Sequence, residues 1–572
     1  MTLQLEVVGP CLVLLLGGLM MLVRPVGVIF VIAEALALFL LVRLWQFSGA
    51  GSLVLPIYEP LPSIQLVIRV DHLGVFFASL GIAAGLLVSL PWLVGPLRRH
   101  RPHQGWVLFA QAGMILVALA GGLETLAAGW AMTATALCVL VLVGRLDSSG
   151  RLVAGSTALW HMGLQFAGAL ALLAAAVTVE VAAGTGGFDA VPVGAIDSRA
   201  VLFAATAPVL ALLGMGATAR ALKDPIGTAL AVTSVSVPMA CYLLVRLYDL
   251  GDGRLPDPRL GTAMAVIGGT ACFWFAISSL WAVDLGATLT RLVQAAAALL
   301  LVAAGAGSGL GVAAVAIGAI SVCLGASLAY AIVDAGQGRL PSLAPGRGRL
   351  RALSATTLSV VVLLALAWSG GVGGGLASST RIATIQAGLG AGGIAALATI
   401  PALVGSAIML YAGYGAGRFG GGAAPSRTDV VRLLLIGLAL PATSIAAITL
   451  VYPIVVPLAA SVLRITSAEV SIALHTSPAG SIVLIALFAV LTLAASVLAR
   501  PGGPFDSRRG LPRAPWYLPP PLAVAPLVYS ARFYERLVGP AAGLAGMVRR
   551  HPLLVTTLLV AAALSALNSV LR

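Results

Sequence analysis

Apolar runs of about 18 to 30 residues recur from one end of the chain to the other, each long enough to cross a hydrocarbon layer of roughly 30 Å as a helix. A helix satisfies its own backbone hydrogen bonds in lipid, which an open strand or loop does not. The pattern predicts about sixteen such spans, with boundaries soft by several residues. They fall near 5–23, 26–47, 71–97, 105–121, 123–143, 155–182, 200–219, 226–247, 260–283, 286–306, 309–335, 350–374, 383–414, 429–460, 480–500 and 552–570. A re-entrant-looking outer loop is expected between the second and third. The fold class this implies is all-α, a polytopic membrane protein.

The polar stretches between spans alternate in sign. Arg98, Arg99 and Arg101, then Arg145 and Arg151, Arg339 to Arg351, Arg418 to Arg432 and Arg500 to Arg513 follow odd-numbered spans. Even-numbered spans lead to loops that are short or carry Asp189, Asp197, Asp249, Asp252 and Asp257. Short cytoplasmic loops hold the basic excess, so both termini are expected on the outer face of a prokaryotic-type inner (cell) membrane. The first apolar run is followed by Arg24 and another span rather than a small-residue processing site, so the first helices are expected to act as uncleaved signals.

Composition agrees. Mean hydropathy is +1.06 and 9% of residues are charged, far below the roughly one quarter of a soluble domain. A net charge of +14 and a pI near 10.3 invite a nucleic-acid reading. The arginines are instead spread over successive inner loops, where they set topology and meet anionic lipid headgroups, so the bilayer and not nucleic acid is the expected partner. Cys11, Cys138, Cys241, Cys272 and Cys323 all lie within apolar runs, with no CxxC pair or Cys/His cluster, so no metal or redox cofactor is expected and no catalytic residue is assigned. No Gly-rich phosphate loop follows a strand; the 67 glycines point to close helix packing.

Four stretches resemble one family. IRVDHLGVFF, from Ile68 to Phe77, is similar to the start of the third helix in the antiporter-like membrane subunits of respiratory complex I (NADH-quinone oxidoreductase), a family that includes Mrp-type cation/proton antiporter subunits and the membrane subunits of hydrogenase-4 and formate hydrogenlyase. Asp71 and, in the fifth helix, Trp130 occupy motif positions. LETLAAGWAMTATALCVLVLVGR (Leu123 to Arg145), TALAVTSVSVPMACYLLVRL (Thr228 to Leu247) and WAVDLGATLTRL (Trp281 to Leu292) resemble the fifth, eighth and tenth helices, in matching order. The resemblance covers residues 60–500 and marks a divergent member. It implies a complex I-type antiporter fold that ends in a short interfacial helix and an anchor helix. Ion paths lined by broken helices are implied too, with helices seven and twelve interrupted near mid-membrane by Pro225, Gly371 to Gly375 or Gly388 to Gly393.

The sequence departs from the family where protons would move. Where the resemblance expects a Trp-Glu pair, Trp130 is followed by Ala131; where it expects a helix-eight His and Lys, Val232 and Pro238 stand; the helix-ten Asp-Lys-Arg becomes Asp284, Leu285 and Gly286. Arg220 and Lys223 precede Pro225 where a helix-seven lysine is expected, and the helix-twelve lysine pattern is not recognisable near Gly375 to Arg381. Lys223 is the sole lysine, so no row of buried lysines exists. Burial can strip a lysine of its proton, whereas arginine stays charged and relays nothing.

Few ionisable groups remain inside the slab. The proton-path candidates are Glu34, His161, Arg220, Lys223, Asp284 and Asp334, because a mid-membrane charge costs roughly 2.5–3.5 kcal/mol and is kept for a reason. For Glu34 the alternative is a carboxyl hydrogen-bonded to a neighbouring helix; for His161, beside Trp160 and near Gln165, a packing histidine. Asp284 and Arg291 are expected as a structural ion pair, and Glu124 and Glu180 as residues reaching the outer interface.

Four regions are expected: 1–70, the first two helices and outer loop; 71–500, the antiporter-like core; 501–551, a Pro/Arg-rich segment on the inner side with an amphipathic helix near 527–538; and 552–572, an anchor helix. Two functions stay open. One is a proton-translocating subunit of a redox-driven complex, partnered by other membrane and peripheral subunits. The other is a non-conducting subunit that docks such a module. A stand-alone transporter is the weaker third.

Overall fold

A computed structural model describes residues 2–48, 53–61, 64–90, 104–144, 156–184, 186–188, 198–222, 225–280, 285–337, 376–414, 451–474 and 490. The expected spans at 350–374, 480–500 apart from Val490, and 552–570, residues 429–450 of the span expected at 429–460, and the segment 501–551 lie outside these residues. Within them the fold is helical except for one hairpin. The helices are α1 (Thr2–Val23), α2 (Gly27–Ser48), α3 (His72–Ser89), α4 (Gly105–Ala118), α5 (Leu123–Gly144), α6 (Ser156–Ala183) and α7 (Ser198–Leu222). Then come α8 (Pro225–Ala231), a π-helical segment (Val232–Ser236), α9 (Val237–Leu250), α10 (Pro258–Leu280), α11 (Leu285–Gly305) and α12 (Gly309–Gln337). The series continues with α13 (Leu376–Gly390), α14 (Gly393–Tyr414), a second π-helical segment (Val451–Val455), α15 (Val456–Leu463) and α16 (Ser467–Leu474). Ten of the described helices are long and apolar enough to cross a membrane, α8, the first π segment and α9 counting as one. The protein is an integral multi-pass membrane protein.

The re-entrant loop expected before α3 is instead a β-hairpin, β1 (Leu53–Leu61) pairing antiparallel with β2 (Ile64–Val70). Ile64 to Val70, reading IQLVIRV, has the β-branched content and alternation of a strand. Its outer edge is not left open. Arg69 N–H donates to Leu119 O at 2.8 Å, Gly121 N–H to Val67 O at 2.8 Å and Val67 N–H to Thr125 Oγ1 at 2.8 Å, so the turn between α4 and α5 covers it. Asp71 then caps α3, its Oδ1 accepting from Gly74 N–H at 2.7 Å.

The helix expected over 383–414 is a correction. α13 and α14 turn back on each other at Ala391 and Gly392, with Gly388 against Thr399 and Ile385 clustered with Ala407. Gly392 and Gly393 take the turn at φ +73° and +54°, a conformation that favours glycine. The reversal therefore lies where the glycine run permits positive φ, later than the apolar count places it. α14 runs parallel to α10, Gly269 meeting Ala398 and Cys272 meeting Ala402.

The stretch 227–248 is buried throughout and forms the axis of the fold. α3, α4, α7 and α12 pack around it. Glycines allow the approach: a Cβ at Gly81 would lie 2.7 Å from Ser234 O and 3.2 Å from Pro238 Cγ. The expected break in helix seven is absent, since α7 continues through Pro208 to Leu222. The interruption lies in the next element. Val237 N–H donates to Val232 O, five residues back, and Pro238 has no N–H to continue an α-helical ladder. The second π segment likewise runs into a proline, Pro457. Glycines 371 to 375 lie outside the described residues.

At the far end of α9 a cluster of four charges ties these elements together. Arg246, 1% exposed, donates to Asp71 Oδ2 at 2.7 Å and to Asp249 Oδ2 at 2.6 Å, while its Nε donates to the Tyr242 hydroxyl at 3.0 Å. Arg69 adds a contact to Asp71 at 3.2 Å and one to Asp249 at 3.6 Å. Two cations and two anions balance. Removing one partner strands the others, so Arg246→Ala should cost about 3–5 kcal/mol of stability, read by unfolding in mild detergent. A loss under about 1 kcal/mol would place the cluster with ordinary surface pairs.

Candidate functional site

The site begins at Glu34, in the middle of α2 and fully buried. Its Oε2 accepts from Ser89 Oγ of α3 at 2.6 Å and its Oε1 from Gln111 Nε2 of α4 at 2.7 Å. The same amide donates to Ser234 Oγ in the π segment at 3.1 Å, and Ser234 Oγ donates to Leu230 O. The next residue, Thr233, donates to Ala229 O at 2.7 Å and accepts from Ser327 Oγ of α12 at 2.6 Å.

One helical turn beyond Ser327 stands Tyr330, whose hydroxyl meets Thr290 Oγ1 of α11 at 3.1 Å. One turn beyond Thr290 is Gln294, which donates to Leu213 O of α7 at 3.1 Å and lies over Gly216. Two residues further along α7, Thr218 Oγ1 pairs with His161 Nδ1 of α6 at 2.9 Å. These hydrogen-bonded groups, set about one helical turn apart on α12 and α11 and five residues apart on α7, form a discontinuous polar row across the interior from α2 to α6. Apart from half-buried Thr290, its members are buried. Glu34 and His161 stand at its ends. The groups between them are neutral near pH 7, and the hydroxyls can both donate and accept hydrogen bonds.

The other candidates fall around this row. Asp334 lies one turn beyond Tyr330 on α12, half-buried. Arg220 is in the last turn of α7; Lys223 and Asp284 lie outside the described residues. Of the ion pair expected with Asp284, Arg291 donates to Ser278 O. Asp71 sits in the charge cluster. Trp130, 1% exposed, packs its indole against Gly168. Glu124 and Glu180, expected near the outer interface, are half-buried; each has one carboxylate oxygen that is buried without a hydrogen bond, and Glu124 stands over Gly186. Among the described residues no group of three or more His, Cys, Asp or Glu could hold a metal ion.

No family model matches the chain. Two curated relatives, uncharacterized proteins of Mycobacterium tuberculosis strains CDC 1551 and H37Rv, are each 28% identical over 240 residues, which is 39% of this chain and 36% of the relative. The match thus spans about a third of those relatives' length. Among solved structures, a chain of the Mrp complex from Dietzia sp. DQ12-45-1b superposes over 100% of this chain and 63% of its own, with a TM-score of 0.70 at 20% identity. The antiporter-like fold is therefore present. Chains of respiratory complex I from Thermus thermophilus with bound NADH and of the membrane-bound sulfane sulfur reductase, an archaeal respiratory membrane complex, match with TM-scores of 0.60 each. The first is 16% identical over 80% of this chain and 99% of its own; the second is 18% identical over 98% and 100%. All three neighbours are chains of multi-subunit membrane complexes.

Three positions where the resemblance expects a titratable side chain are Ala131, Val232 and Pro238. Val232 opens the π segment, Pro238 follows it, and Ala131 sits beside Trp130 on α5. The polar row is built from other residues. Gln111 could have been noticed, as an amide in an apolar run; Thr233, Ser234 and Ser327 could not, because hydroxyls in membrane helices usually bond back to their own helix.

Glu34→Gln keeps size and one acceptor oxygen, with Ser89 Oγ able to accept from the new amide, and should change stability by under about 1 kcal/mol, whereas Glu34→Leu removes both hydrogen bonds and should cost about 1–3 kcal/mol. Thermal unfolding in nanodiscs compares the two. Equal losses would mean that the carboxyl's hydrogen bonds carry no weight.

Proposed function

We propose that the chain is a membrane-embedded, antiporter-like subunit of a redox-driven energy-converting complex, of the complex I or membrane-bound hydrogenase type, associated with proton translocation. The observation that carries this reading is the polar row with Glu34 and His161 at its ends, set inside an antiporter-like fold. The neighbouring structures are subunits of assemblies, which supports a role among partners rather than alone. A second reading is a non-conducting subunit that docks and orients such a module. Ala131, Val232 and Pro238 favour it, since none can hold or release a proton.

The two readings differ in a measurable way. Mild detergent extraction of the tagged chain should bring down other membrane and peripheral subunits under both. Alone in liposomes, the chain should move protons no faster than an inert membrane protein, because between Glu34 and His161 its row has no group that titrates near neutral pH. In the assembled complex, Glu34→Gln or His161→Ala should lower proton pumping several-fold with the subunits still copurifying. Unchanged pumping in both variants, together with collapse of the complex on deleting the chain, would establish the docking role. The topology proposed with it, both termini outside in a prokaryotic-type cell membrane, predicts that a cysteine at position 345 is shielded from impermeant thiol reagents in intact cells; labelling there would invert it.

A further inference from the structure

Glu34 is a buried carboxyl with no counter-charge beside it among the described residues. Helices α1, α3 and α4 pack against α2, and their charges lie elsewhere. α4 carries none. The one titratable group of α3, His72, is at its far end, edge-on to Trp45 at 4.9 Å between ring centroids. Arg43 of α2, more than two turns beyond Glu34, pairs with Glu6 of α1 at 3.0 Å, and Arg24 is exposed in the turn before α2. Cys11 of α1 donates to Ala112 O at 3.6 Å, and neither α8 nor the π segment carries a charge. On the α3 side backbone closes the site, since a Cβ at Gly85 would collide with Glu34 Oε1 and Gln111 Nε2.

The hydrogen bonds distinguish the two carboxyl oxygens. Oε1 faces the N–H of Gln111 at 2.7 Å, a donor, so Oε1 is an acceptor. Oε2 lies 2.6 Å from Ser89 Oγ, and a hydroxyl can take either role in that contact. The same Oγ lies 3.2 Å from Leu86 O, which can only accept. With the carboxyl ionised, Ser89 has one hydrogen for two acceptors. With a proton on Oε2 each donor has its own acceptor: the carboxyl donates to Ser89, and Ser89 donates to Leu86 O. Only the second arrangement leaves no bare charge in the middle of a membrane helix.

We propose that Ser89 is a positioning residue that holds Glu34 as a neutral carboxylic acid, accepting the hydrogen bond of Oε2–H while its own hydrogen goes to Leu86 O. When the carboxyl gives up its proton, the Ser89 hydroxyl turns from Leu86 O to Oε2. Leu86 O still has the N–H of Leu90, so the turn strands no carbonyl. One hydroxyl rotation in the last turn of α3 therefore accompanies each change in the charge of Glu34, with no helix displaced. The assignment deepens the proton-path reading of Glu34 proposed above and rests on it for its role in transport.

Infrared difference spectroscopy on the full-length protein in nanodiscs near neutral pH tests this. Wild type against Glu34→Gln should show the C=O stretch of one protonated carboxyl. Ser89→Ala should move that band to higher frequency, Ser89→Thr should return it, and Thr133→Val, which removes a buried hydroxyl bonded to carbonyls of α4 and α5, should leave it in place. If Ser89→Ala fails to fold, Ser89→Cys, a weaker acceptor, should move the band in the same direction by less. Carboxylate stretches in place of the carboxyl band overturn the proposal, as does a band that neither Ser89→Ala nor Ser89→Cys moves. The band reports Glu34 whether or not protons are pumped: its absence leaves the proposed function to the pumping assay, and unchanged pumping in Glu34→Gln leaves the assignment of Ser89 standing.

Discussion

Pro238 has no N–H, and it sits in the middle of residues 227–248, a stretch buried throughout. Inside a bilayer every backbone group needs a partner from the protein. The helix meets that constraint by widening its turn ahead of the proline, so that Val237 reaches five residues back to Val232. The widening changes which way the side chains of Thr233 and Ser234 face. One turns to Ser327 on α12, the other to the amide of Gln111 on α4. Without this change of register the hydroxyls of two adjacent residues, about 100° apart on a regular helix, would not be set by the π turn to serve α4 and α12 together. The glycine at position 81 belongs to the same arrangement, because it brings α3 against the carbonyl of Ser234 and against the proline ring.

The charge cluster at the opposite end of α9 supplies what the π segment lacks. A π turn is longer and looser than an α turn, and by itself would let α9 shift along its axis. Arg246 fixes that axis. Its two ion pairs join α9 to Asp71, the residue that both closes β2 and caps α3, and to Asp249 one turn away. Phe188 and Tyr242 cover the guanidinium with their ring faces at 5.5 and 5.0 Å. Asp71 therefore has a structural task visible in this chain: one carboxylate ends a strand, starts a helix and anchors a third element.

Much of the architecture was legible in the sequence because lipid imposes a single length scale. Runs such as Gly27 to Gln46 or Gly309 to Ala331 have no soluble alternative, and their boundaries hold to within a few residues. Length fails as a guide where helices are short or turn back. α13 has 15 residues, too few to register as a span, so its sequence was merged with that of α14. The hairpin before α3 failed for a related reason, since an apolar segment of strand length between two spans reads as membrane unless its β-branched alternation is given weight. The site was half legible. Glu34 and His161 stand out as ionisable residues in apolar runs, and both are ends of the row. The hydroxyls between them carry no signal, because their usefulness depends on a helix register that only packing sets.

The neutral middle of the row bears on what this chain can do. A lysine held at mid-membrane can release its proton because burial disfavours its charge, and it thereby offers a place where a proton can wait. A hydroxyl offers none: it can pass a proton only while receiving another, so the chain of bonds must be reset by rotation before the next passage. Ser234 and Thr233 each already donate to a carbonyl of their own helix, and each would have to break that bond to turn. The π segment is where such a break costs least, because its backbone ladder is already irregular around Pro238. Under the proton-translocating reading, transfer along this row would require Thr233 and Ser234 to turn within the π segment, while the ion pairs of Arg246 anchor the far end of α9.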